Sequence, residues 1–204
     1  MRDIFNKHTT DKAKKHQYDK IYEKYFSPVR NDEVNILEVG TFRGASTAAF
    51  HEYFPNGNIY TIDIFERVDE NDIPILNEDR VFYLKQDSTV EGVTESVEKA
   101  WPGVKFDFII DDGAHHPLAN ALTLKNLMPH LKESGIYFIE DYWPLDLMSK
   151  FELNHKWLVN RPERYNNKNQ KILLDELSKY NVKHYDHRRL TGKPDSYILK
   201  ITCS

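Results

Sequence analysis

The sequence holds one cysteine, Cys203. That excludes an intrachain disulfide framework, and a lone thiol beside the last residue is a poor nucleophile candidate, so a reducing cytoplasm is the expected setting. No apolar run approaches the roughly 18 residues of a membrane-crossing helix. Residues 1–18 are too polar for a secretory signal, so no membrane partner is expected. Charge of one sign is also scarce. Lys plus Arg number 28 against 32 Asp plus Glu, a formal net charge of −4. No basic block is available to track a phosphate backbone, which argues against a nucleic-acid substrate. Internal repeats and low-complexity tracts are absent as well.

What remains is 204 residues with 40% hydrophobic and 13% aromatic content. Such a chain can bury one sizeable core, and a single domain over 1–204 is expected. Lysines and spaced aromatics over 11–25 suggest an amphipathic helix stopping before Pro28, part of an N-terminal helical arm over 1–30. Apolar runs at 35–40, 58–63, 80–86, 106–111 and 135–140 read as strands. Helical stretches at 44–53, 90–100 and 118–131 alternate with them, as right-handed β-α-β units building a parallel sheet require. The prediction is a three-layer α/β/α sandwich around a Rossmann-like, mostly parallel, seven-stranded sheet. Periodicity weakens over 142–168, which reads as a lid with broken helices. A helix over 172–180 follows. Segments 182–187 and 196–202 then close the sheet as a hairpin around Thr191-Gly192-Lys193-Pro194, adding an antiparallel C-terminal strand.

Two segments concentrate the chemistry: Ile109-Ile110-Asp111-Asp112-Gly113-Ala114-His115-His116 and Ile139-Glu140-Asp141. Each is an apolar run that ends abruptly in carboxylates. In a parallel sheet such ends open into the loops where α/β folds carry their sites. Four acids and two histidines converging there cost repulsion unless a cation or a proton transfer uses them. Singly, each has a duller explanation: an Asp-Gly turn, an acidic pair at a helix start, a capping histidine.

The first strand exits through Glu38-Val39-Gly40-Thr41-Phe42-Arg43-Gly44-Ala45-Ser46. A glycine there lets the backbone turn close to a ligand, and the following helix offers free N–H groups. Phe42 stands where a dinucleotide site needs its second glycine. The turn suits S-adenosylmethionine (SAM), whose amino-acid end needs less backbone clearance than a pyrophosphate. Asp63 ends the second strand, where an acid can accept from both ribose hydroxyls. Asp87 and Ser88 follow the third, in reach of an adenine amine. Either acid alone is more often solvated or capping. Three acids at successive strand ends favour one nucleoside touching all of them.

These residues carry a family resemblance. Thr10-Asp11-Lys12 with His16 and Tyr18, residues 37–46, Ile62-Asp63, Gln86-Asp87, residues 109–115 and residues 135–141 together resemble class I SAM-dependent methyltransferases. Within them the match is to the Mg-dependent sugar O-methyltransferases of macrolide biosynthesis and their relatives near polysaccharide clusters. Ala114 replaces a usual Ser, and Ser134 a usual Gly. The chain resembles only the core module of larger members, and homo-oligomerisation is left open.

The resemblance implies a SAM- and Mg²⁺-dependent O-methyltransferase acting on a hydroxyl of a sugar or glycosylated small molecule. It implies Asp112, Glu140 and Asp141 as metal ligands and His115 as general base, with His116 in a supporting place. Glu38, Gly40, Thr41, Arg43, Ser46, Asp63, Asp87, Ser88 and Asp111 then form the cofactor side, Asp111 supporting the turn. Lys12, His16 and Tyr18 close over SAM, or Tyr18 and Tyr22 simply pack a helix on the sheet. Tyr142 and Trp143 stack on a sugar or simply pack. Arg161, Arg164, His184, His187, Arg188 and Arg189 bind a sugar-nucleotide diphosphate or form a solvated face. A catechol-type methyltransferase and a non-catalytic SAM-binding protein are the alternatives.

Overall fold

In the computed structural model, which describes residues 1–204, β-branched and aromatic runs between Gly- and Pro-bearing connections become seven strands. They are β1 (Asn35–Val39), β2 (Asn58–Asp63), β3 (Val81–Lys85), β4 (Phe106–Asp111), β5 (Leu131–Ile139), β6 (Asn181–Asp186) and β7 (Tyr197–Thr202). Their spatial order is β3-β2-β1-β4-β5-β7-β6. The first five pair in parallel, and β7 is antiparallel to both neighbours, β5 and β6. This is the expected sandwich with its antiparallel C-terminal strand. The order reverses between β1 and β4, the switch point where a crevice forms beyond the carboxyl ends of adjacent strands.

Ten helices flank the sheet. They are α1 (Arg2–Lys7), α2 (Asp11–Lys14), α3 (Asp19–Phe26), α4 (Ala45–Tyr53), α5 (Val93–Ala100), α6 (Pro117–Leu127), α7 (Lys150–Leu153), α8 (Lys156–Val159), α9 (Asn167–Leu177) and α10 (Arg188–Thr191). Two cores of 22 and 21 buried residues lie on opposite faces of the sheet, which makes the chain a three-layer structure. Leu37, Ile62 and Ile109 face the layer of α5, α6 and α9, while Ile36, Ile59 and Phe108 face the layer of α1, α3 and α4. The β4–β5 register shifts between Phe106 and Phe108, and these two phenylalanines, which should share a face, sit in opposite layers.

The arm departs from the expected continuous helix over 11–25. Thr10 caps α2, its side chain accepting from the Lys12 amide. The chain then breaks at Gln17, which adopts a left-handed φ of 57°, and restarts as α3. Lys12 and His16 before the break and Tyr18, Tyr22 and Phe26 after it are all buried. The Phe26 ring lies 4.6 Å from that of Phe108 and 4.9 Å from that of Tyr22, centroid to centroid. With Phe50, Phe54 and Phe138 around it, this fully buried ring makes the arm an integral layer of the core; losing a buried Phe side chain costs about 3–5 kcal/mol.

Other expected boundaries move by a few residues. The helix predicted over 118–131 ends at Leu127, and β5 begins at Leu131. The last helix starts earlier than expected, at Asn167, capped by Asn166. The hairpin connection carries α10 instead of a tight turn. Residues 142–168 contain α7 and α8 and a small core of their own: Trp143, Leu145, Met148, Leu158 and Tyr165.

Candidate active site

The site lies along the carboxyl ends of β1, β2, β4 and β5. Four non-glycine residues take left-handed φ values just beyond these strands: Phe42, Phe65, His115 and Asp141. Such conformations persist only where surrounding structure enforces them. Gly40, at φ 93°, is where the two halves of the site touch. A Cβ there would collide with the backbone of Asp112 and Gly113, so only glycine lets the β1 exit pass against the β4 exit.

On the β1–β3 side, Asp63 organises the loop. Its Oδ2 accepts from the amides of Thr41 (2.7 Å) and Phe42 (3.0 Å), and its Oδ1 from Phe65 N (2.7 Å). Thr41 also pairs its hydroxyl with that of Thr61. Glu38 is fully buried; Oε2 accepts from Thr47 Oγ1 at 2.6 Å and Oε1 has no partner. Burial raises its carboxyl to about 7, against the attraction of Lys12. Ser46 is buried at the start of α4.

Other expected cofactor residues are engaged elsewhere. Arg43 is exposed, its guanidinium over the Phe42 ring. Asp87 Oδ1 accepts from the amide and hydroxyl of Thr89, shaping the β3 exit, and Ser88 bonds Thr123 on α6. Asp111 is buried between Asn120 Nδ2, which donates to Oδ2 at 2.9 Å, and the Gly113 amide. Burial lifts its carboxyl to about 6. It supports the turn.

On the β4–β5 side, Asp112, His115 and Asp141 bring one ligand atom each within 4.8 Å of one another. His115 Nε2 is 3.7 Å from Asp112 Oδ1, and His115 Nδ1 is buried without a partner. The two carboxylates, 14 and 23% exposed, are oxygen donors of the kind a hard divalent ion with retained waters accepts, and the His115 imidazole stands beside them. Glu140 lies behind them, 2% exposed. Its Oε1 accepts from Tyr22 Oη and its Oε2 from Lys12 Nζ (2.6 Å). Burial pushes this carboxyl well above the usual range, with Lys12 opposing.

The arm therefore meets the acids. Lys12 Nζ also donates to Asp112 Oδ2 at 2.7 Å, Tyr18 Oη to Asp141 Oδ1 at 2.9 Å, and His16 Nδ1 lies 3.3 Å from Asp141 Oδ1. Burial works against the Lys12 ammonium, but Asp112 and Glu140 outweigh it and hold its pKa well above the usual lysine value. The contacts of Lys12 with Asp112 and Glu140, and of Tyr22 with Glu140, span 100 or more residues of sequence, and nothing in the local pattern announces them.

His116 is the N-cap of α6, its Nδ1 accepting from Ala119 N, and burial lowers its pKa. Tyr142 and Trp143 are buried and pack; Tyr142 bonds Gln170. Arg188 is paired with Asp186 and Glu152, and Arg161 stacks on Trp157, so these two cations hold local structure. Tyr165 Oη donates to the His115 carbonyl at 3.1 Å, tying residues 142–168 to the loop after β4.

Comparison with known proteins gives this geometry a context. The chain is 30% identical over 137 residues to mycinamicin VI 2''-O-methyltransferase of Micromonospora griseorubida, covering 63% of this chain and 32% of that protein. It is 31% identical over 146 residues to the 8-demethyl-8-(2-methoxy-alpha-L-rhamnosyl)-tetracenomycin-C 3'-O-methyltransferase of Streptomyces olivaceus, covering 67% and 35%. The chain thus spans about a third of the length of these relatives. Among solved structures, MycE methyltransferase from the mycinamycin biosynthetic pathway, in complex with Mg, SAH and mycinamycin VI, superposes with a TM-score of 0.69 at 22% identity. That match takes in 100% of this chain and 54% of MycE. The SAH-bound methyltransferase PaMTH1 of Podospora anserina gives 0.63 at 16% identity, over 99% and 88%. At these identities the structures share a fold. The family model described as a methyltransferase domain matches residues 37–142, from β1 through the acids after β5, and the chain belongs to that family.

Proposed function

We propose that this chain is a SAM- and divalent-metal-dependent O-methyltransferase whose acceptor is a hydroxyl of a sugar or sugar-bearing small molecule. The observation that carries the reading is the meeting, at Gly40, of a nucleoside-type turn with a cluster of carboxylates and one imidazole. Relatives named as sugar O-methyltransferases of natural-product pathways support the choice of acceptor class.

On the cofactor side, the turn at residues 40–46 is held open by Asp63, whose three backbone partners still leave lone pairs for a ribose hydroxyl. The buried, unpartnered Glu38 Oε1 is an acceptor for an ammonium group. Gly40, Thr41 and Ser46 belong to this turn, while Asp111 braces the adjoining β4 exit. SAM bound here supplies an electrophilic methyl group.

On the acceptor side, Asp112 and Asp141, with Glu140 behind them, would hold the metal. A divalent ion held there would supply Lewis acidity that lowers the pKa of an acceptor hydroxyl. His115 takes the hydroxyl proton as general base, its left-handed backbone held at the carbonyl by Tyr165. Tyr165 ties residues 142–168 to the loop that carries His115. Orientation across the Gly40 contact does the remaining work.

The test is a screen of sugar nucleotides and glycosylated small molecules for methyl transfer from SAM, with and without EDTA. Transfer that is lost with EDTA and restored by Mg²⁺ is expected. Transfer indifferent to EDTA contradicts the metal role, and transfer only to catechols contradicts the acceptor class.

A further inference from the structure

Three lysines meet on the face of the sheet that packs against the N-terminal arm. Lys183 of β6 and Lys200 of β7 are partners in register, so their side chains stand directly opposite each other. Lys24 of α3 joins them. The Nζ atoms of Lys24 and Lys200 lie 5.4 and 5.3 Å from the centre of the Tyr25 ring, and that of Lys183 lies 5.2 Å from the centre of the Tyr185 ring. The two half-buried tyrosines bond each other through their hydroxyls and pack on the core of the arm layer. We propose that this constellation is a binding site for a phosphoryl oxyanion, which bridges the arm to the β6–β7 hairpin.

The cluster lacks negative partners of its own. None of the three lysines forms an ion pair, whereas Lys85, Lys132 and Lys171 each hold a carboxylate at 2.6–2.8 Å. The acids on the same elements are engaged elsewhere: Asp186 of β6 with Arg188, Asp19 of α3 with Arg2, and Glu23 of α3 with the amino group of Met1. Like charges directly opposite across two strands are destabilising. Burial and the charges of Lys183 and Lys24 accordingly hold the pKa of half-buried Lys200 below the usual lysine value. Two plainer explanations cover only part of this. A lysine on an edge strand guards against strand pairing between molecules, which accounts for Lys183 on β6 but not for Lys200, whose strand is paired on both sides, or for Lys24 on a helix. Attraction to a ring face is worth about 0.5–1 kcal/mol at an exposed site, and it leaves the mutual repulsion of the three cations in place.

The donors select the ligand. Two hydroxyls carry two protons and their mutual bond uses one, so one O–H is left to donate outward. Three ammonium groups and one hydroxyl then surround the anion. A phosphoryl group offers three strong acceptor oxygens and about two negative charges, whereas a carboxylate offers two oxygens and one charge. Lysine ammonium groups on flexible stems close on such a group as point charges. A nucleic-acid backbone needs a longer basic track than three residues, and the chain as a whole carries a net charge of −4. Lys24 belongs to the arm, and Lys183 and Lys200 belong to the hairpin. The bound oxyanion therefore fastens α3, the helix that also carries Tyr22 to Glu140, to the edge of the sheet.

The test titrates the full chain with inorganic pyrophosphate by calorimetry, in metal-free buffer at fixed ionic strength. In parallel, the chain is pelleted with phosphatidylcholine vesicles with and without phosphatidate. Lys24→Gln, Lys183→Gln and Lys200→Gln are compared with Lys171→Gln, which removes the same charge from α9. Each of the first three should weaken binding about fivefold or more, while Lys171→Gln changes it less than about twofold and Lys200→Arg, which keeps the charge, stays within about threefold of wild type. Pyrophosphate binding without vesicle pelleting assigns a soluble phosphate as the source. Pelleting that needs phosphatidate and is lost in the same three variants assigns a lipid headgroup. Absence of both kinds of binding overturns the proposal. So does binding that any one of the three lysine-to-glutamine changes leaves intact, or that Lys171→Gln weakens as much.

Discussion

The two halves of the site are built by different means. On the β1–β3 side, Asp63 gathers backbone amides from Thr41, Phe42 and Phe65, residues of its own loop and of the adjoining strand exit. On the β4–β5 side, Glu140 and Asp141 are held by side chains of the N-terminal arm: Lys12, Tyr18 and Tyr22, more than 100 positions away in sequence. Backbone amides fix a loop whatever side chains surround it. Side-chain donors from a distant helix fix it only once the aromatic core beneath α3 has formed. The nucleoside turn is thus a local device and the acidic cluster a tertiary one.

Substitutions that should affect one half alone can break this comparison. The largest expected effect is on turnover. Asp112→Asn should lower methyl transfer at least about a thousandfold while SAM affinity changes less than about twofold, because the carboxamide cannot replace a carboxylate ligand but leaves the Gly40 contact intact. Calorimetric SAM binding beside a single-turnover assay reads both. Next, Asp63→Asn should weaken SAM binding roughly 10- to 100-fold. An amide nitrogen in place of one oxygen faces the amide donors that Asp63 now satisfies. Divalent-ion affinity of this variant, measured by Mn²⁺ titration, should be unchanged.

Smaller effects sharpen the distinction in stability. Tyr22→Phe removes the hydroxyl that donates to buried Glu140 and should cost about 1–3 kcal/mol in urea unfolding. Smallest is a pH effect at Glu38. Its carboxyl is raised from 4.5 to about 7 by burial. An acid raised in the folded state contributes stability below about 4.5 that is lost as pH rises through about 7. Glu38→Gln lacks that loss, so its melting temperature should exceed the wild type's by a few degrees at pH 8 and match it near pH 4.5. A difference constant with pH contradicts the buried-acid account.

What the sequence made legible follows the same division. The parallel sheet, its antiparallel last strand and the place of Asp63, Asp112, Glu140 and Asp141 at strand exits all come from local apolar runs ending in polar residues. His116 as a cap and Asp111 as a brace were also readable from position. The broken arm was not, because nothing in the apolar pattern over 11–25 marks Gln17 as the site of a left-handed turn. Expecting Lys12 over the cofactor missed its ion pairs for the same reason: a lysine's partners depend on which strand ends it meets after folding. Arg43, Asp87 and Ser88 stand at the strand exits where the pattern put them, and their contacts with Phe42, Thr89 and Thr123 are side-chain detail the pattern does not carry.

The central claim is that one crevice carries two separable binding devices joined at Gly40. Its most direct test is a crossed titration, SAM and Mn²⁺ each measured on Asp63→Asn and Asp112→Asn. The account predicts that Asp63→Asn loses SAM affinity and keeps Mn²⁺, while Asp112→Asn loses Mn²⁺ and keeps SAM. Loss of both ligands in either variant, or of neither, would contradict it.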